Sequence, residues 1–382
     1  MKKSMFIAAI ATMVLAGCTK DESIVEQQEI GFQPLAYKAS QTKANVNVIT
    51  GATYGTDAPS FGLFAYQLAD GLNFTDDIDK AKLYIDEKEV SYSTTDGNWR
   101  TNPKSFWPLQ GSLTFIAYSP YSEKGKVTHA IIDVVDANQS PIKASVLTIN
   151  GFQAGTEGQK DLMWSKLSKD KTSNGKINDV IQGEIKQEYN GVPILFNHAL
   201  CRIKITAKTT ADYSDFATYK IKKIEVANLE DNATLTVTDD NATWSDPTTA
   251  LGTASGRDMV FDFFAPDAEA NYVTLNSTTA SAVNYKSEEA AGNGLLAIPQ
   301  TLDANVKLLV TYTMTVDPDG AGIAPAVVTE ITKPVTLNTQ LVSLEQNKVY
   351  TLNLSISANE ILYSPDVIDW TPQGAEYAVP EV

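Results

Sequence analysis

The sequence predicts an all-β protein built from sandwich domains, on three observations. Apolar residues recur with a period of two in several long stretches, clusters of turn formers separate those stretches, and a helical period is almost absent.

The strands can be taken in chain order. Ala199, Cys201, Ile203, Ile205 and Ala207 alternate with Leu200, Arg202, Lys204, Thr206 and Lys208, so one face of this segment is apolar. On that register Cys201 points inward as a small, inert core residue. Val306, Leu308, Val310, Tyr312, Met314 and Val316 repeat the pattern against Lys307, Leu309, Thr311, Thr313 and Thr315, and Tyr350, Leu352, Leu354 and Ile356 repeat it again. Thr95-Asp96-Gly97-Asn98, Asp239-Asp240-Asn241 and Asp317-Pro318-Asp319-Gly320 read as turns. Lys166 to Asn190, rich in Ser, Lys, Asp and Gly, reads as a long loop, and Tyr213 to Tyr219 as one or two helical turns. The 382 residues suggest at least two domains. The small polar stretch Thr209-Thr210-Ala211-Asp212 is the expected boundary, giving domains at 30–210 and 211–382.

The first residues form a leader. Lys2 and Lys3 precede an apolar run from Met5 to Leu15, which is too short to span a bilayer of about 30 Å as a helix. This is the pattern of a signal peptide, here 1–17. Leu15-Ala16-Gly17-Cys18 resembles a bacterial lipobox, in which the cysteine is acylated and becomes the new N-terminus. Thr19-Lys20-Asp21-Glu22 opens an acidic tether, 18–29, and resembles the surface-export signal of Bacteroidetes lipoproteins. Lipid at Cys18 would hold the chain at a membrane by burying acyl CH₂ groups.

Composition narrows the chemistry. Losing Lys2 and Lys3 with the leader takes the formal charge from −16 to −18, which disfavours nucleic acid as a partner. Two cysteines, one of them in the lipobox, leave no pair for an intrachain disulfide. With only His129 and His198 besides, a zinc site or a Ser/His or Cys/His nucleophile pair has little to draw on, and no metal or cofactor is expected. Asp317 starts like a calcium loop, but the twelfth position is Val328 where a glutamate is required, so a hairpin turn is the better reading. Phe74-Thr75-Asp76-Asp77-Ile78-Asp79 reads as a solvated loop, and no Gly-rich phosphate loop occurs. A carboxylate-pair hydrolase would need two acids that the sequence does not single out; the expectation is a protein that is not an enzyme. Trp107, Trp164 and Trp370 read as core anchors, with a carbohydrate-stacking platform as the alternative.

Taken together, several motifs in order resemble the fimbrillin-like pilins of Bacteroidetes. They are the lipobox, Phe106-Trp107-Pro108 followed by Phe115 to Tyr121, Asp161-Leu162-Met163-Trp164, Val192 to Lys208, and Asn347 to Ile356 leading to Asp369-Trp370. The resemblance implies two tandem transthyretin-like Greek-key β-sandwich domains, in a structural or adhesive subunit of a cell-surface pilus. It also implies a mechanism: a protease removes the first strand together with its lipid, and a segment of another subunit fills the exposed groove. On that basis Ile30, Phe32, Leu35 and Tyr37 form the removable strand, and cleavage falls between Lys43 and Ala44, where family members often carry arginine. Tyr377, Val379 and Val382 form a candidate donor tail, in which Pro380 removes one hydrogen-bond donor. The implied partners are other pilin subunits, host or bacterial surface ligands, and the outer membrane through Cys18. The alternative is a glycan-binding surface lipoprotein of a polysaccharide-uptake system.

Overall fold

The structure, a computed structural model, describes residues 27–36, 47–48, 60–154, 160–175, 179–181, 185–187, 191–210, 217–245, 260–285, 294–316, 325–357 and 360–370. Among these residues there are strands and short 3₁₀ turns but no α-helix.

Seven strands of the first half form a closed circuit. In spatial order they are Ser112–Ser119, Ser60–Leu68, Lys82–Ser93, Asn98–Thr101, Phe32–Ala36, Val192–His198 and Met163–Ser165, and the last pairs back onto the first. Closing a sheet on itself leaves no free edge within the circuit. Ser112–Ser119 is buried at every position, its polar Ser112, Thr114 and Ser119 included, because both its faces are covered. Leu113, Phe115 and Ala117 point into the interior of the circuit, while Ile116 and Tyr118 join a second core outside it. The Tyr118 ring lies directly over Gly62 on the neighbouring strand, where a Cβ would come within 2.2 Å of the ring. Ser168–Lys171 also pairs with Ser112–Ser119, so the segment expected as one long loop contributes a strand to the seam.

The chain leaves this unit at Leu200, about ten residues before the expected boundary. Cys201–Thr209, expected to close the first domain, pairs in parallel with Lys348–Ile356 through eight residues, and Lys348–Ile356 pairs with Ile361–Asp369. Opposite lies a second sheet of Val260–Phe264, Ala217–Ala227, Lys307–Val316 and Val327–Thr336. Apolar faces of the two sheets meet in one core through Ile203, Ile205, Ile221, Ile224, Leu308, Val310, Leu352 and Leu354. The alternation read from the sequence is therefore the inward face of this sandwich. Of the helical turns expected at Tyr213 to Tyr219, 213–216 lie outside the described residues, and from Ala217 the chain is strand, which carries Tyr219, Ile221 and Ile224 into this core.

A third sheet joins the halves. Asn241–Trp244, Asn232–Thr238, Pro141–Gln153 and Val127–Val135 follow in that order, so a hairpin from beyond residue 210 pairs with strands from before it. Its inner face closes a core holding Phe64, Tyr118, Leu147, Phe152, Trp164, Leu200, Leu235 and Trp370.

Candidate strand-exchange site

The first strand is the structural element that the sequence reading marks as removable. Phe32–Ala36 runs parallel to Val192–His198, from Phe32 opposite Val192 to Ala36 opposite Phe196. On its other side Phe32 pairs with Trp99, and Ala36 and Leu35 pair with Asn47 and Val48. Just before the strand, Ile30 N–H donates to Ser105 O at 2.8 Å and Trp107 N–H to Gln28 O at 2.9 Å. The segment thus lies in a slot with hydrogen-bonding groups along both walls.

Its side chains fill the slot by period-two alternation. Ile30 and Phe32 are 0% and 2% exposed and belong to the interior core. The Phe32 ring meets Phe115 edge-on at 5.6 Å and Phe61 at 6.4 Å. Leu35 is buried as fully but lies outside that cluster, as its odd position on the alternation requires. Gly191 sets the depth of the slot: a Cβ there would stand 2.8 Å from main-chain atoms of Gly31 and Phe32, so only glycine lets the strand close in.

A polar clasp at Glu29 to Gly31 was not foreseen from the sequence. Asn174 Oδ1 accepts from Gly31 N–H and from Trp107 Nε1–H, each at 3.0 Å, and Asn174 Nδ2 donates to Glu29 O at 2.9 Å. The Glu29 carboxylate pairs with Lys104 Nζ at 2.6 Å and with the Arg100 guanidinium at 3.5 Å. Arg100 is shared with Asp96 in a close ion pair. An asparagine in a polar loop gives no sequence signal of such a role.

Several expected residues fall elsewhere. Cys18, Tyr37, Lys43, Ala44, Tyr377, Val379 and Val382 lie outside the described residues. Trp107, Trp164 and Trp370 are 5%, 4% and 1% exposed, which makes them core anchors rather than a stacking platform. Cys201 is fully buried, donates its thiol to Ala297 O, and has its pKa pushed up by that burial. His129 joins Tyr66 Oη through Nδ1 and Ser145 Oγ through Nε2, at 3.0 and 2.8 Å. Burial holds its pKa down to about 4. Asp76 and Asp77 cap their own loop with Asn73 and Lys80, consistent with a solvated turn. Among the described residues no cluster of three or more His, Cys, Asp or Glu could hold a metal, and no helix is long and apolar enough to cross a membrane.

A profile described as fimbrillin-like matches residues 56–370. The chain belongs to the fimbrillin-like family. A fimbrial protein of Bacteroides vulgatus has the same fold, with 18% identity, a TM-score of 0.56, and alignment over 90% of this chain and all of that one. A candidate cell-adhesion protein of Bacteroides uniformis aligns over 90% of this fimbrillin-like chain and 98% of its own, at 14% identity and a TM-score of 0.46. The C-terminally truncated tip fimbrial protein Mfa3 of Porphyromonas gingivalis aligns over 90% of this chain and 100% of its own, at 9% identity and a TM-score of 0.34. Among curated proteins none matches.

Proposed function

We propose that this fimbrillin-like protein is a structural subunit of a cell-surface fimbrium, secreted as a lipoprotein through Cys18 and polymerised by strand exchange. The observation that carries the reading is the seating of the first strand. Burying Ile30, Phe32 and Leu35 is worth roughly 1.5–3 kcal/mol each, so about 5–9 kcal/mol in all, as much as the whole stability of many domains. A subunit that loses this strand must refill the slot or lose its first core. The strand connects to Asn47–Val48 through 37–46, which contains Lys43, so a cut there frees it from the rest of the chain. The sequence there, from Ala39 to Ala44, is small and polar, the composition of the loop tips where nicking concentrates.

The candidate occupant is the tail of a second copy. Glu376, Tyr377, Ala378, Val379 and Val382 repeat the order and spacing of Glu29, Ile30, Gly31, Phe32 and Leu35: acid, apolar, small, apolar, and apolar three further on. Main-chain bonds to the slot walls would supply affinity and the alternate side chains specificity, as in other cases of strand addition. Other fimbrial subunits are then the principal partners, the lipid serves delivery to the outer surface, and adhesion to host or bacterial surfaces is a property of the assembled polymer.

The test is cleavage of the full-length protein with a lysine-specific protease. We expect a new N-terminus at Ala44, and detergent-resistant ladders with filaments in electron micrographs. A variant lacking 371–382 should stay monomeric after the same cut. Filaments from that truncated variant, or a cleaved protein that remains a folded monomer with its tail intact, would refute the mechanism.

A further inference from the structure

Most of the slot is apolar, but its entrance is built from Asn174, Lys104 and Gly191. In a parallel ladder, alternate residues of one strand bond both neighbours of a residue on the other. Gly31 O already accepts from Val192 N–H at 2.8 Å. Gly31 N–H and Glu29 O lie on the same side of the strand as Gly31 O, facing the same wall. Those two groups are taken by the Asn174 amide, whose C=O accepts from the one and whose NH₂ donates to the other, as main-chain groups of a neighbouring strand do. The amide orientation is fixed by its partners: turned over, its NH₂ would face the N–H donors of Gly31 and Trp107. Gly175 N–H donates to Gly191 O at 3.2 Å, which ties the Asn174 loop to the start of the slot wall.

We infer that Asn174 and Lys104 set the register of whichever strand fills the slot, the resident one and an incoming one alike. For an incoming strand this rests on the strand-exchange reading above. Of the strand, Asn174 bonds main chain only, so it accepts any sequence with a C=O and an N–H two residues apart. Lys104, with Arg100 behind it, adds a preference for a carboxylate directly before the first apolar anchor. The partner is therefore an extended segment in which an acid precedes an apolar, small, apolar series. In the tail that acid is Glu376, followed by Tyr377 in the place of Ile30 and Ala378 at the close approach to Gly191. A slip of one residue would turn Glu376 or Ala378 into the core. A slip of two would put Ala375 in the place of Ile30 and carry Glu376 past Lys104. In the assigned register Pro380 falls at Gln33, where an N–H is lost from the ladder, so the clasp at the entrance bears more of the hold.

Two measurements test the inference. The first uses the uncleaved full chain and does not depend on exchange. Asn174→Asp keeps the size and both acceptor contacts but loses the donor to Glu29 O. Hydrogen exchange at Gly31 and Val192 should speed up about tenfold, the effect of one buried hydrogen bond, while Leu352 in the second sandwich is unchanged. Unchanged protection at Gly31 overturns the clasp. The second uses protein cleaved after Lys43 and a synthetic peptide of residues 371–382. Lys104→Glu should weaken binding about tenfold, and a peptide carrying Glu376→Lys should recover it against that variant. Loss without recovery, or no loss, overturns the register. If the unmodified peptide fails to bind the cleaved wild type, the exchange reading falls, and the exchange rates at Gly31 alone decide the role of Asn174 on the resident strand.

Discussion

Truncating Phe32 to alanine tests how firmly the first strand belongs to its unit. The side chain is 2% exposed and its ring meets Phe61 and Phe115 edge-on, with Trp99, its cross-strand partner, packed on Phe61 at 5.7 Å. Deleting a buried phenylalanine removes its transfer free energy and leaves a cavity, for a typical cost of about 3–5 kcal/mol. Against a total of roughly 5–15 kcal/mol, that would consume a large share of the stability of the unit. Urea unfolding followed by tryptophan fluorescence is suited to it, because Trp99 and Trp107 both lie in the affected core. The midpoint should fall with little change in slope. Phe106→Ala, at a side chain 40% exposed on the segment that bridges to Glu29, serves as the control and should shift stability by no more than about 0.5 kcal/mol. A loss below about 1 kcal/mol for Phe32→Ala would mean that the core tolerates an empty place there, and the argument that a vacated slot must be refilled would fail.

Other consequences are as direct. Gly191→Ala sets a Cβ against the main chain of Gly31 and Phe32, which cannot yield as a flexible side chain would; proteolysis should then cut within 27–36 in a variant whose second sandwich remains intact. His129 is held neutral by burial, with a pKa of about 4 against an ordinary 6.5. The unfolded imidazole takes up a proton in that window and the folded one does not, so its contribution is complete above about 6.5 and is lost as pH falls toward 4, by at most about 3 kcal/mol. His129→Gln should flatten that part of the pH–stability curve in chemical denaturation. Cys201, buried with its thiol pKa raised, should resist alkylation in the native protein and react only on unfolding; fast labelling at neutral pH would contradict its place in the core.

The sequence made the second sandwich legible and much of the first illegible, for a physical reason. Where a strand has one buried face, as in Lys307–Val316 or Lys348–Ile356, alternation marks the inward residues, and Leu308, Val310, Tyr312, Leu352 and Leu354 are where the pattern puts them. Ser112–Ser119 is covered on both sides, so its composition indicates burial without indicating which residue faces which core. Ala199 to Ala207 reads as one uninterrupted alternation, although the chain changes sheets at Leu200 within it, so a change of sheet leaves no mark in the pattern. Hydrogen-bond partners over long sequence separations leave no local trace, and the bond from Gly31 to Asn174 spans 143 positions. Ile30, Phe32 and Leu35 could be singled out as apolar, whereas Asn174 and Gly191 acquire meaning only from what they touch.

The wall of the slot also explains how force would pass through a polymer of the proposed kind. The resident strand runs parallel to Val192–His198, and an incoming strand in the proposed register would do the same, so a pull along its length would shear the ladder and load its bonds together instead of opening them one at a time. The loaded wall ends at His198, whose ring stacks flat on Trp370 at 3.9 Å and whose Nδ1 is held by Asp161 at 2.9 Å. Arg202 covers the same indole at 4.3 Å from its centroid, and the Trp370 main-chain N–H donates to Asn347 O at 2.9 Å. Trp370 immediately precedes 371–382, the proposed donor segment. Tension entering at the slot therefore reaches the base of the tail through one strand and one aromatic stack, without having to cross the core of the second sandwich. In the proposed polymer Trp370, 1% exposed in the core that joins the two halves, would thus lie on the loaded path.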